Sequence, residues 1–73
     1  MNTYERAIFD VAKLFLRDYG DAAVDHADER ARTLREAGNL TAHASWVLVV
    51  EAIKVLSRTE RPPDAMLHYS PAQ

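Results

Sequence analysis

The chain has 73 residues, of which 48% are hydrophobic, and its 11 acidic and 9 basic side chains give a net charge of −2. This length accommodates one small domain, and such a domain buries only about 60% of the surface of its unfolded chain. The absence of cysteine excludes disulfides and thiolate metal sites. The balanced charge provides no basic face of the kind that a nucleic-acid duplex favours.

The first predicted helix covers residues 3–19. Asn2 or Thr3 has the side chain of an N-terminal cap, which accepts a hydrogen bond from the first turn. Gly20 follows the last helical residue and can take the left-handed conformation that ends a helix. The apolar positions of this helix form one broad face, which indicates that it carries more apolar surface than one neighbouring helix can cover.

The second predicted helix covers residues 21–37, with Asp21 as its N-terminal cap and Gly38 as its stop. Its apolar stripe is only about 100° wide, the width typical of a surface helix. The stripe consists of Ala23, Val24, Ala27, Ala31 and Leu34, so most of its members are alanines. The sequence therefore predicts a peripheral helix here.

The third predicted helix begins after a cap at Asn39 or Thr41 and ends at residues 57–59. Residues 46–56 are so apolar that the arc they form is about twice the width that a surface helix needs. Pro62 and Pro63 then prevent any helix from continuing. We therefore predict a three-helix domain at residues 1–59 and an extended, proline-containing tail at residues 60–73.

Two wide apolar helices and one narrow helix cannot cover each other completely. The prediction is an all-α, three-helix bundle that forms a homodimer through helices 1 and 3. The predicted interface residues are Phe9, Leu16, Trp46, Leu48 and Val55. Alternatively, the tail folds back and covers the excess with three anchors, Met66, Leu67 and Tyr69. The dimer and the folded-back tail are compatible with each other.

Candidate catalytic and metal-binding residues are sparse. His26 and Glu29 lie three residues apart, a spacing that lets two metal ligands share one helix face. They lie on the polar side of helix 2, which favours a solvated histidine, so neither a metal nor another cofactor is expected. No serine stands in a glycine-flanked turn or in a recognisable triad, so the chain is not expected to be an enzyme.

A homodimeric protein–protein interaction module, regulatory or adaptor-like, with an unidentified protein partner is therefore the expected function. A small DNA-associated transcriptional regulator is the alternative, because three short helices are the size of a helix-turn-helix module. Against it, helix 3 is too apolar to enter a DNA groove, and acidic neighbours offset the arginine cluster Arg30, Arg32 and Arg35. A helical metal-binding protein is the third hypothesis.

The predicted location is the cytoplasm. The first six residues lack the basic-then-apolar pattern of a signal peptide. No uninterrupted apolar run approaches the roughly 20 residues that span a bilayer, so no membrane partner is expected.

Three segments resemble a group of short bacterial all-helical proteins. These segments are Tyr-Gly-Asp-Ala-Ala at residues 19–23, Ala-Gly-Asn-Leu at residues 37–40, and a last helix that carries Trp46 and ends in Ile-x-x-Leu at residues 53–56. The resemblance covers residues 12–56. It implies a bacterial source and a compact helical fold, and it transfers no activity and no catalytic residue.

Overall fold

The computed structural model describes residues 2–60, with side chains described for residues 2–58. Its elements are α1 (Thr3–Tyr19), a 3₁₀ turn (Gly20–Ala22), α2 (Ala23–Glu36) and α3 (Leu40–Glu60). Every regular element within residues 2–60 is helical, so the prediction of an all-α chain is confirmed for this part. The predicted tail anchors Met66, Leu67 and Tyr69 lie outside the described residues.

The two ends of α1 are those predicted from the sequence. The Asn2 side-chain oxygen accepts a hydrogen bond from the Glu5 backbone N–H at 2.7 Å and so caps the first turn. At the other end, Gly20 has a φ of 55° and donates its N–H to the Leu16 carbonyl. Glycine is favoured at this position because a side chain would strain the backbone at positive φ.

The start of α2 differs from the prediction, because Asp21 is not at the N-cap position of this helix. Asp21 lies inside the 3₁₀ turn, and the residue preceding α2 is Ala22, whose side chain makes no capping hydrogen bond. The Ala23 N–H donates instead to the Gly20 carbonyl, so a backbone turn satisfies the first part of the helix. A side-chain cap contributes about 1 kcal/mol, and a 3₁₀ turn can replace it.

A single loop ends α2 and begins α3. Gly38, at a φ of 82°, donates its N–H to the Arg35 carbonyl at 3.0 Å, and Asn39 donates to the Leu34 carbonyl at 2.9 Å. These two bonds form a Schellman motif, which explains the glycine. The Asn39 side-chain oxygen also accepts from the Ala42 N–H at 3.1 Å, so the first of the two predicted caps is used.

The core lies along α3, which packs against both α1 and α2. The three alanines of the predicted α2 stripe are buried, with exposed fractions of 0% to 4%. Small side chains let two helices approach closely, which seals this side of α3. Ile53, at 1% exposure, is the largest fully buried side chain among the described residues. The other buried apolar residues are Ala12, Ala23, Ala27, Ala31, Val49, Val50 and Ala52.

Candidate interaction surface

A groove of about 220 Å³ opens between the N-terminal half of α1 and the middle of α3. We refer to it as the α1–α3 groove. Two of its lining residues, Glu5 and Glu51, are carboxylates, and no cationic residue lines it. The remaining lining residues are Tyr4, Ile8, Phe9, Leu48, Ala52 and Val55. The groove is therefore apolar with a negatively charged edge.

The sequence explains why the groove is open. Ala52 is buried at 4% exposure and has too small a side chain to fill the space between the helices. Leu48 and Val55 lie one turn before and one turn after Ala52, and they are 45% and 38% exposed. Large apolar side chains therefore flank an alanine without being covered by α1.

Two polar contacts lie beside the groove. The Tyr4 hydroxyl and the Ser45 hydroxyl are 2.8 Å apart, and this hydrogen bond joins the first turn of α1 to α3. Lys54 makes an ion pair with Glu51 at 3.5 Å, with both side chains well exposed. An exposed pair of this kind contributes at most about 1 kcal/mol, and its members can exchange partners at little cost.

The structure brings together three of the five predicted interface residues. Phe9, Leu48 and Val55 all line the α1–α3 groove. Leu16 lines a separate cavity of about 350 Å³ with Ile53 and other residues, where it packs against the core. Phe9 and Leu16 lie on the same side of α1, but they contact different parts of α3.

Trp46 lies on a different side of α3 from the groove-lining residues. Its ring is 5.2 Å from the Phe15 ring, centroid to centroid, and the Arg30 guanidinium lies 5.2 Å from its centroid. The indole is half-buried and packs against the core. These contacts favour a structural role for Trp46, with the Arg30 cation contributing about 0.5–1 kcal/mol at an exposed site.

The predicted metal-ligand candidates have other neighbours. The His26 ring stacks on the Tyr19 ring, with centroids 3.9 Å apart and planes at 19°. Glu29 forms an exposed ion pair with Arg32 at 3.6 Å. Within the described part of the chain, no group of three or more histidine, cysteine, aspartate or glutamate side chains could hold a metal ion.

The hydropathy of α3 adds a finding that counting uninterrupted apolar runs did not provide. Residues Leu40–Arg58 have a mean hydropathy of 1.4 and are long enough to cross a bilayer, by length and composition alone. Only 28% of that segment is buried. A core helix of a soluble protein passes the same test, so a cytoplasmic location stays a prediction.

No family model, curated protein or solved structure matches this chain. The resemblance to short bacterial all-helical proteins therefore stays a prediction.

Sequence reasoning did not single out five of the eight groove-lining residues: Tyr4, Glu5, Ile8, Glu51 and Ala52. Tyr4 and Ile8 lie one turn apart on α1, and Glu5 and Glu51 supply its charge. The available signal was the four-residue spacing of Tyr4 and Ile8 beside Phe9. The two glutamates carried no signal in the sequence, because isolated acidic residues are common on helix surfaces.

Proposed function

We propose that this chain is a small, non-enzymatic interaction module that forms a homodimer. A second copy binds at the α1–α3 groove and at the exposed residues of α3 that adjoin it. We further propose that α1, α2 and α3 form a three-helix bundle, with α2 outside the dimer interface. The exposure of Leu48 and Val55 beside an apolar groove is the observation that carries this proposal.

The exposed apolar surface fits a reversible dimer rather than an obligate one. Full burial of a large apolar side chain contributes about 1.5–3 kcal/mol, so covering the exposed fractions of Tyr4, Leu48 and Val55 contributes about 1 kcal/mol each. In a two-fold dimer the same side chains are buried on both copies, so each contribution to the free energy of association occurs twice. Association costs about 4–15 kcal/mol in lost freedom of motion. The three side chains alone, about 6 kcal/mol over both copies, only balance the lower end of this cost. A micromolar Kd therefore requires burial of the remaining apolar surface of the groove as well, and we propose a reversible dimer rather than an obligate one.

A dimer that forms and dissociates at micromolar protein concentrations would suit a regulatory or adaptor role. The charged outer face of α2, which the dimer leaves accessible, would then contact a further protein partner. On this face, Arg32 and Glu29 are exposed and form an ion pair with each other.

The test is sedimentation velocity of Leu48→Glu beside the parent chain, at concentrations from about 1 to 100 µM, which bracket a micromolar Kd. A carboxylate placed in the interface has to be desolvated on association. We expect the parent chain to shift from monomer to dimer across this range and the variant to remain monomeric.

Leu14→Glu is the matched control, because Leu14 is 43% exposed on α1, close to the 45% of Leu48, and does not line the groove. This variant is expected to associate like the parent chain. A parent chain that sediments as a monomer throughout, or equal effects of the two substitutions, would contradict the proposed interface.

A further inference from the structure

Five residues on the outer face of α3 are all exposed and recur at alternating spacings of four and three. They are Ala44, Leu48, Glu51, Val55 and Arg58. This is the heptad spacing with which one helix packs along another. The face is therefore a seam suited to a second helix, and it carries an acidic residue and a basic residue at defined positions.

The charges along this seam are arranged in sequence. Glu51 comes first and Arg58 follows toward the C-terminal end of α3, and Lys54 lies beside the seam between them. The adjoining α1–α3 groove adds Glu5 on the acidic side and no cation. A helix that fits here must offer apolar side chains together with basic ones, and α3 of a second copy does so.

We propose that two copies associate with their α3 helices antiparallel, so that Glu51 of each chain lies beside Lys54 and Arg58 of the other. This inference rests on the proposed homodimer and adds its geometry. The two-fold axis crosses α3 between Glu51 and Val55, which brings the two Val55 side chains close to the axis.

The parallel arrangement is disfavoured by the same charges. In a parallel, in-register pair, each residue meets its own copy, so Glu51 faces Glu51 and Arg58 faces Arg58. Like charges placed opposite each other destabilise a helix pair, whereas the antiparallel pair alternates their signs. Because exposed ion pairs contribute little, the charges select the orientation, and the apolar residues provide the affinity.

Spin-label distances distinguish the two orientations. The chain contains no cysteine, so Thr41→Cys gives the full chain a single labelling site in the first turn of α3. Thr41 lies 12 residues from the level of the axis, and the helical rise of 1.5 Å per residue separates the two copies by about 36 Å in the antiparallel dimer. In the parallel dimer the separation is about 10 Å, the distance between packed helices.

We expect double electron–electron resonance to report a distance above about 30 Å in a sample that sediments as a dimer. A distance below about 20 Å in such a sample would overturn the antiparallel geometry and leave the homodimer standing. If the chain sediments as a monomer, both proposals fail. The groove would then be covered by something other than a second copy, such as residues 61–73 of the same chain or a membrane.

Charge reversal provides an independent test. Glu51→Lys places three cations together in the antiparallel dimer, and the double variant Lys54→Glu with Arg58→Glu places three anions together. Each variant alone is expected to raise the Kd about tenfold. Mixing the two variants restores opposite charges across the interface, so heterodimers are expected with the affinity of the parent chain.

Glu36→Lys is the control, because Glu36 is exposed on α2 and lies away from the seam. It is expected to leave the Kd unchanged. If Glu51→Lys also leaves the Kd unchanged, or if the mixed variants associate no better than each one alone, the antiparallel pairing is wrong.

Discussion

The two sides of α3 show how side-chain size decides whether a helix face is closed. Toward α2, three alanines pack against α3, and each of them is at most 4% exposed. Toward α1, the small residue is Ala52 on α3 itself, and Leu48 and Val55 beside it remain more than one-third exposed. Small residues on the peripheral helix seal an interface, whereas a small residue between large ones on the central helix opens a groove.

The largest expected effect contrasts two aliphatic residues of α3. Ile53→Ala removes a side chain that is 1% exposed and is expected to lower the free energy of unfolding by about 2–5 kcal/mol, because it leaves a cavity. Val55→Ala on the groove side is expected to cost less than about 1 kcal/mol, since part of that side chain is already hydrated. Urea unfolding at one fixed protein concentration measures both, because dimerisation makes stability depend on concentration. Equal losses would mean that the two sides of α3 are equally well packed.

Overpacking tests the closed side directly. Ala27 has an exposure of 0%, and Ala27→Leu is expected to destabilise the chain by about 1–3 kcal/mol because α2 cannot approach α3 as closely. Thermal unfolding followed by circular dichroism measures the loss. The control is Ala22→Leu, which enlarges an exposed alanine of the 3₁₀ turn. A neutral Ala27→Leu would show that the alanine stripe does not seal this interface.

The loop that joins α2 to α3 is expected to contribute a smaller amount. Asn39→Ala removes the side-chain cap of α3 and should lower the free energy of unfolding by about 1 kcal/mol. Asn39→Asp keeps the capping oxygen and serves as the control, with a much smaller loss. Urea unfolding of both variants checks this, and identical losses would mean that the capping bond to Ala42 does not stabilise α3.

The smallest expected effect is on the outer face of α2. Arg32→Ala breaks the exposed ion pair with Glu29 and is expected to change the free energy of unfolding by less than about 0.5 kcal/mol. Raising the salt concentration should reduce even that difference, because exposed charges are screened. A loss above about 2 kcal/mol in urea unfolding would show that this face packs against more than solvent.

Local signals in the sequence were sufficient to predict most of the helical elements. Asn2, Gly20, Gly38 and Asn39 each mark a helix end through backbone chemistry that depends only on near neighbours. Asp21 was predicted at the N-cap position of α2, but it lies inside the 3₁₀ turn, where the Ala23 N–H bonds to the Gly20 carbonyl. Choices between a side-chain and a backbone partner depend on the three-dimensional path of the turn, which residue identity does not specify.

The groove could be predicted only in part. The excess apolar surface on α3 led to Leu48 and Val55, whose exposure depends on the width of the helix face. Leu16 and Trp46 were grouped with them, although they pack elsewhere. Helical periodicity gives the direction in which a side chain points around the axis of its helix. It does not give the register between two helices, and this register determines which residues each side chain contacts.

A dilution series followed by methyl NMR tests the central claim, self-association through the α1–α3 groove, most directly. The account predicts that the Ile8, Leu48 and Val55 methyl resonances shift with concentration through the micromolar range, because these side chains enter and leave an interface. The Ile53 methyl groups, buried in the core, are expected to stay unchanged. Groove resonances that do not depend on concentration, or shifts confined to α2, would contradict it.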